Sequence, residues 1–166
     1  IFEALVATPY PNLACLRLDS NEITGHTLAG QAMTNYLHDH QNCMLQTLSL
    51  NDNTLDSRLL TTIIKTNASL TDLEFAGNEI SEVSLRTIAQ HLLTPECTCR
   101  LRALKCNLIE IGLQTQTLDL SGQAIDPVVL LLLGGVLRYN QSLTVVRLAN
   151  IQPPFDAEAA FAMQVG

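Results

Sequence analysis

The stretch Leu45-Gln46-Thr47-Leu48-Ser49-Leu50-Asn51-Asp52-Asn53-Thr54-Leu55 decides the fold, because its pattern recurs along the chain. It occurs earlier as Leu13, Leu16, Leu18, Asn21 and Ile23, and later as Leu70, Leu73, Phe75, Asn78 and Ile80, at identical spacing. Looser copies follow: Leu101 with Leu104 and Cys106, Thr115 with Leu118, Leu120, Gln123 and Ile125, and Leu143 with Val146 and Leu148. Self-similarity of this kind marks a stacked repeat, in which no unit can bury its apolar residues alone.

The two central apolar positions lie two residues apart, so they share one face of a short strand, and the residues beside them face the other way. The asparagine stands where the chain turns out of that strand, and its amide can satisfy backbone groups of the turn. Between strands the period lengthens to that of a helix. Leu28, Ala32, Met33, Tyr36 and Leu37 form one stripe, Leu59, Leu60, Ile63 and Ile64 a second, and Leu85, Ile88, Ala89, Leu92 and Leu93 a third. Val129, Leu132, Leu133, Val136 and Leu137 form a fourth, and Pro127 suits its start. Each unit is therefore a strand plus a helix, and the stack is an α/β solenoid.

The repeat spacing, read from Leu16 through Leu48, Leu73, Leu104 and Leu118 to Val146, is 32, 25, 31, 14 and 28 residues. The longer intervals hold a helix and bend the stack into a horseshoe with the parallel sheet on its concave face and helices on its convex face. An interval of 14 cannot hold strand, turn, helix and return. Either one repeat is degenerate, or a segment of at least about eleven residues is skipped between Cys106 and Leu118, the reading favoured by the local spacing. Residues 1–6 read as the tail of a helix and residues 156–165 as the start of another, without capping repeats. The expectation is one domain over 1–166, part of a longer chain, with six strands near 15–19, 47–51, 72–76, 103–107, 117–121 and 145–149.

Two phrasings alternate before the strands. Asn42-Cys43-Met44-Leu45-Gln46-Thr47-Leu48-Ser49-Leu50 is echoed by Pro95-Glu96-Cys97-Thr98-Cys99-Arg100-Leu101-Arg102-Ala103-Leu104. Thr66-Asn67-Ala68-Ser69-Leu70-Thr71-Asp72-Leu73 is echoed by Tyr139-Asn140-Gln141-Ser142-Leu143-Thr144-Val145-Val146. In these residues the chain resembles leucine-rich repeats of the ribonuclease-inhibitor-like class. It is similar to the repeat domains of eukaryotic nucleotide-binding leucine-rich-repeat receptors and of ciliary and cytoskeletal relatives; tropomodulin-like and Ran GTPase-activating proteins have related repeats. The resemblance implies a right-handed leucine-rich-repeat solenoid and an intracellular, cytoplasmic scaffold that binds other proteins. It leaves the subfamily open, with departures at Ile109, Ile151 and the short fourth interval, and no Gly-x-x-x-x-Gly-Lys-Ser/Thr segment is present.

Composition narrows the function classes. Nine Lys and Arg against sixteen Asp and Glu give a net charge of −7, which argues against a surface that tracks nucleic-acid phosphates or anionic lipid. The longest apolar run, residues 128–133, is well short of the roughly 20 residues of a membrane span. No nucleic acid, no membrane and no cofactor are expected. Cys15, Cys43, Cys97, Cys99 and Cys106 are odd in number and lack a disulfide-framework spacing, as expected of reduced thiols. Two sequons, at Asn67 and Asn140, sit at one position of the repeat and read as structural.

Chemistry has few candidates. His38-Asp39-His40 invites a metal, but on a helix the two imidazoles diverge. His91, Cys97, Cys99 and Cys106 invite zinc, yet Cys97-x-Cys99 is tight for it and Cys106 takes an inward strand position where a thiol acts as a small apolar group. No base and electropositive pocket accompany any cysteine, and no nucleophile elbow is present, so no catalysis is expected. The partner-binding candidates are polar residues of the concave face: Arg17, Asp19, Ser49, Asn51, Asp72, Glu74, Lys105, Asn107, Asp119 and Arg147. They carry both signs and lack aromatic anchors. Three functions fit: a protein-interaction scaffold, a structural section of a large cytoskeletal or ciliary complex, or a regulator of a GTPase or innate-immune sensor. Arg17, Arg102 and Arg147 all fall on strands, which disfavours an arginine inserted from a turn into a partner's active site.

Overall fold

The computed structural model describes residues 12–38 and 43–150. The readings made for residues 1–6, 39, 40, 42, 151 and 156–165 lie outside the described residues. Among the described residues, seven short strands run in the order β1 (Cys15–Arg17), β2 (Thr47–Ser49), β3 (Asp72–Glu74), β4 (Ala103–Lys105), β5 (Glu110–Ile111), β6 (Thr117–Asp119) and β7 (Val145–Arg147). Four helices intervene: α1 (Leu28–His38), α2 (Ser57–Thr66), α3 (Glu82–Leu93) and α4 (Pro127–Leu137). The protein is a mixed α/β structure with a mostly parallel sheet.

β1 to β4 pair in parallel and in repeat register, so Leu16, Leu48, Leu73 and Leu104 form one row beneath the sheet. Leu48, Leu73 and Leu104 are fully buried, worth roughly 2 kcal/mol each relative to exposure. The strands span three residues rather than the expected five. Ladder bonds nevertheless continue past them, from Leu18 N–H to Ser49 carbonyl (2.8 Å) and from Asp52 N–H to Ala76 carbonyl (2.8 Å).

The turns explain the repeat's conserved spacing within this chain. Asn53 Nδ2 donates to the carbonyls of Leu18 (2.9 Å) and Leu50 (3.0 Å), and its Oδ1 accepts from Asn21 N–H (3.0 Å) and Ile23 N–H (2.9 Å). Asn78 repeats this with Leu50, Phe75 and the Leu55 N–H. The residue just before each motif asparagine, or its counterpart, is left-handed: Ser20, Asp52, Gly77, Gly122 and Asn150 have φ of 57°, 53°, 72°, 72° and 56°. Glycine and short polar residues tolerate that region; a bulky leucine does not. The counterpart in the fourth copy is Leu108, which has no positive φ.

At Leu108 the repeat fails. The chain doubles back, β5 pairs antiparallel with β4, and Cys106 N–H bonds to the Ile109 carbonyl at 2.9 Å. The short interval is spanned by this strand and a turn, with no helix. One continuous parallel sheet was expected; instead β1–β5 form one sheet and β6–β7 a separate parallel pair. The edge of β4 that a fifth parallel strand would use is already occupied.

Three of the helices start on polar caps. Asp56 Oδ1 accepts Leu59 N–H (2.7 Å) to cap α2, Ser81 Oγ accepts Ser84 N–H (3.3 Å) at α3, and Asp126 Oδ1 accepts Val128 N–H (2.8 Å) ahead of Pro127 at α4. The stripes of α2 and α3 are buried, Leu93 only partly. Two expectations change. Leu28 is 76% exposed, because Gly30 takes the inward position in that first turn, where a Cβ would strike the Thr24 carbonyl. Helix α4 is buried all round from Val128 to Val136 rather than along one stripe, and Gly135 lets it approach Leu92 of α3.

Candidate partner-binding face

Residues on either side of the buried row point away from the helices. Register places Arg17, Ser49, Glu74 and Lys105 in one column and Cys15, Thr47, Asp72 and Ala103 in the next. Eight of the ten candidate residues, Arg17, Asp19, Ser49, Asn51, Asp72, Glu74, Lys105 and Asn107, thus belong to the face of the five-stranded sheet. Asp119 and Arg147 sit opposite each other on β6 and β7, so the structure assigns them to the second sheet.

The centre of the face is ordered before any partner arrives. Ser49 Oγ lies 2.6 Å from Asp19 Oδ1 and 3.2 Å from Glu74 Oε2, so its single proton serves one carboxylate at a time. Asn51 Nδ2 donates to Ser49 Oγ and to Glu74 Oε2, both at 2.9 Å. The Asn51 N–H donates to Asp19 Oδ1 (2.8 Å), and Asn51 Oδ1 accepts Ala76 N–H (2.9 Å). Ser49, expected to be open to a partner, is buried under this network; it orients Asp19 and Glu74 rather than touching a ligand. Asn107 bridges main chain, accepting Gly77 N–H at 2.6 Å and donating to the Asn78 carbonyl at 3.0 Å.

Cations sit at the margins. Lys105 Nζ is 3.6 Å from Glu110 Oε2, and Arg147 is 3.8 Å from Asp119. Both pairs are solvent-exposed, where water and salt screen the charges. The Ser121 N–H and hydroxyl, aided by Arg147, hold the Asp119 carboxyl below the ordinary aspartate value. Asp72 goes the other way: burial, then the Glu74 charge, push its carboxyl up, while Arg17 opposes them. No hydrogen bond contributes to Asp72. Glu110 and the distinct state of Asp72 escaped sequence reasoning. The first lay in the interval read as too short, and the second follows from small neighbours, Thr47 and Ala103, visible only in register.

The other candidates are occupied structurally. Burial pushes the Cys97 and Cys106 thiols up and Cys99 up to about 12, which keeps them protonated and weakly nucleophilic. Cys97 Sγ is engaged by the Cys99 carbonyl at 3.6 Å. Burial, then Lys65, lowers His91. Among the described residues no three His, Cys, Asp or Glu side chains converge as metal ligands. His38 ends α1. Asn67 Nδ2 donates to the Leu37 carbonyl (3.0 Å) and Asn140 Nδ2 to the Arg102 carbonyl (2.5 Å), and each Oδ1 takes the N–H groups two and three residues on. Both sequon amides are therefore committed to the turns. On the helix side, an open polar groove of about 440 Å³ runs between α1 and α2 past His26, Gln31, Asp56 and Arg58. No helix among the described residues is long and apolar enough to cross a membrane.

No protein-family model and no curated protein matches the chain. A solved structure, the actin-binding site 2 of leiomodin-1, is similar to it with a TM-score of 0.52 and 15% identity, covering 98% of this chain and 83% of that one. At that identity the likeness concerns the fold.

Proposed function

We propose that this chain is a non-enzymatic protein-interaction module: a single right-handed leucine-rich-repeat solenoid that presents its concave sheet to another protein in the cytoplasm, with no cofactor. The observation that carries this reading is the in-register column Arg17, Ser49, Glu74 and Lys105, flanked by side chains already held by hydrogen bonds. A face ordered in advance loses little side-chain freedom on binding. Its charges orient a partner more than they add raw affinity.

A second reading is a structural section of a large cytoskeletal or ciliary assembly. It is favoured by the solved neighbour, which is named as an actin-binding site. One experiment addresses both. Partners captured from native extract are compared between Thr47→Tyr/Thr117→Tyr, which adds bulk to the sheet face without changing charge, and Thr61→Tyr/Thr87→Tyr on α2 and α3. Loss of partners in the first variant alone supports the interaction module. Loss in the second alone rejects the sheet face, and loss in both favours a component packed on several sides.

A further inference from the structure

The sheet face is not electrically neutral where it is most ordered. The outward side chains of β1–β5 and their turns carry the carboxylates of Asp19, Asp72, Glu74 and Glu110 against the cations of Arg17 and Lys105. Those cations stand at the two sides, Arg17 on β1 and Lys105 on β4, and Lys105 is engaged by Glu110. The middle strand, β3, presents two carboxylates on one side. Asp72 and Glu74 are two residues apart, hence about 7 Å along the strand, a span that a guanidinium or an ammonium can bridge.

The two carboxylates are held differently. Glu74 Oε2 is fixed by Asn51 and Ser49. Asp72 is half-buried between the small side chains of its register partners, Thr47 and Ala103; its N–H donates to the Gln46 carbonyl (3.0 Å), but among the described residues its carboxylate accepts no hydrogen bond. A half-buried carboxylate without a donor lies in an unfavourable environment, which an arriving cation improves by opposite charge and by N–H donors. Burial and Glu74 raise the Asp72 carboxyl, and Arg17 on β1 offsets them only in part. Thr47 is low and partly exposed beside Asp72, which leaves room for a long side chain to lie across β2 and β3, while Ala103 is already covered.

We infer that the outward face of β1–β4 docks a basic segment of another protein, whose arginine or lysine side chain is taken by Asp72 and Glu74. This rests on the sheet-face reading above. Arg17 and Lys105 at the margins repel a dense polycation, so the segment carries isolated basic residues among neutral ones. The ordered Asp19–Ser49–Asn51–Glu74 network supplies the fixed half of the cradle, and Asp72 the half that the ligand completes.

The test is an NMR titration of the whole chain with the peptide (Gly-Arg)4 and, in parallel, (Gly-Glu)4. Saturable shifts centred on the amides of Thr47, Asp72, Glu74 and Ala103 are expected with the first peptide and not the second. Asp72→Asn/Glu74→Gln is expected to weaken binding tenfold or more, and the charge-matched Glu79→Gln/Glu96→Gln less than twofold. Asp72→Asn alone removes no hydrogen bond and serves if the double variant is poorly folded; it is expected to weaken binding at least threefold. Shifts spread over all acidic surfaces, or equal losses in both double variants, overturn the inference. If Thr47→Tyr/Thr117→Tyr abolishes capture of native partners while Asp72→Asn/Glu74→Gln binds normally, the sheet face stands and only the basic partner is rejected.

Discussion

Asn53 is bonded to the repeat before its own: Nδ2 reaches the Leu18 carbonyl at 2.9 Å and Oδ1 holds the Ile23 N–H at 2.9 Å. The asparagine is therefore a tie between units as much as a cap on its own turn. Asn53→Ala strands several buried backbone groups at once, and we expect it to cost about 2–4 kcal/mol. Asn51→Ala breaks polar contacts at the more open face, and a loss of about 1 kcal/mol is expected there. Urea unfolding of both variants checks the order; a loss at Asn51 equal to that at Asn53 would mean the inter-repeat tie carries no special weight.

Gly135 and Leu92 set the approach of α4 to α3. A Cβ at 135 would stand 2.7 Å from Leu92 Cβ, in a contact between two helix backbones that have little room to yield. Gly135→Ala should destabilise by about 1–3 kcal/mol despite its better helix propensity. Leu92→Ala opens a cavity but keeps the Cβ that meets residue 135, so the two losses should roughly add in the double variant. An unchanged melting temperature in Gly135→Ala would show that the helices shift apart without strain.

The stability of the fold should depend on pH through His91. Burial and then Lys65 depress its folded value, and its Nε2 is buried with no partner, so the added proton has no acceptor. The unfolded chain then takes up the proton first as pH falls. Stability is full above the ordinary histidine range and declines below about pH 6.5 until the lower folded value is reached. Melting temperatures from pH 7.5 to 5 should fall, and His91→Gln should flatten this part of the decline. An unchanged slope in His91→Gln would assign the effect elsewhere.

Asp72 has the opposite sign. Its folded value is raised, so the folded chain holds the proton more tightly, and stability is lost as pH rises through that value. At neutral pH the charged carboxylate is a burden, and Asp72→Asn should raise the melting temperature by a few degrees. The gain should shrink as pH falls through the raised Asp72 value. The same substitution that stabilises the fold is expected to weaken partner binding, the trade found where a site is kept for function.

The repeat register was legible because leucines two residues apart and an asparagine at fixed distance leave one arrangement that buries the first and bonds the second. The outward columns followed from the same alternation, and Arg17, Glu74 and Lys105 occupy the places it assigns. What escaped depends on contacts between repeats. Ser49 is as polar as Thr47, but Asp19 just past β1, Asn51 and Glu74 on β3 close over it. The break after β4 was visible as a short interval, but its physical cause is Leu108, set where Ser20, Asp52, Gly77, Gly122 and Asn150 turn left-handed. Reading that column for left-handed tolerance would have found the reversal into β5. The all-round burial of α4 was hinted at by six consecutive apolar residues, which the search for a stripe passed over.

The central claim is that the outward face of the sheet meets the partner. Carboxyl footprinting of the isolated chain and of its complex, with native partners captured from extract, tests it directly, since labelling reports each acidic side chain separately. Asp19, Asp72, Glu74 and Glu110 are expected to lose labelling in the complex while Glu79, Glu82 and Glu96 label as before. Protection of Glu79 and Glu82 with the sheet-face carboxylates unchanged would contradict it and move the interface to the helix side.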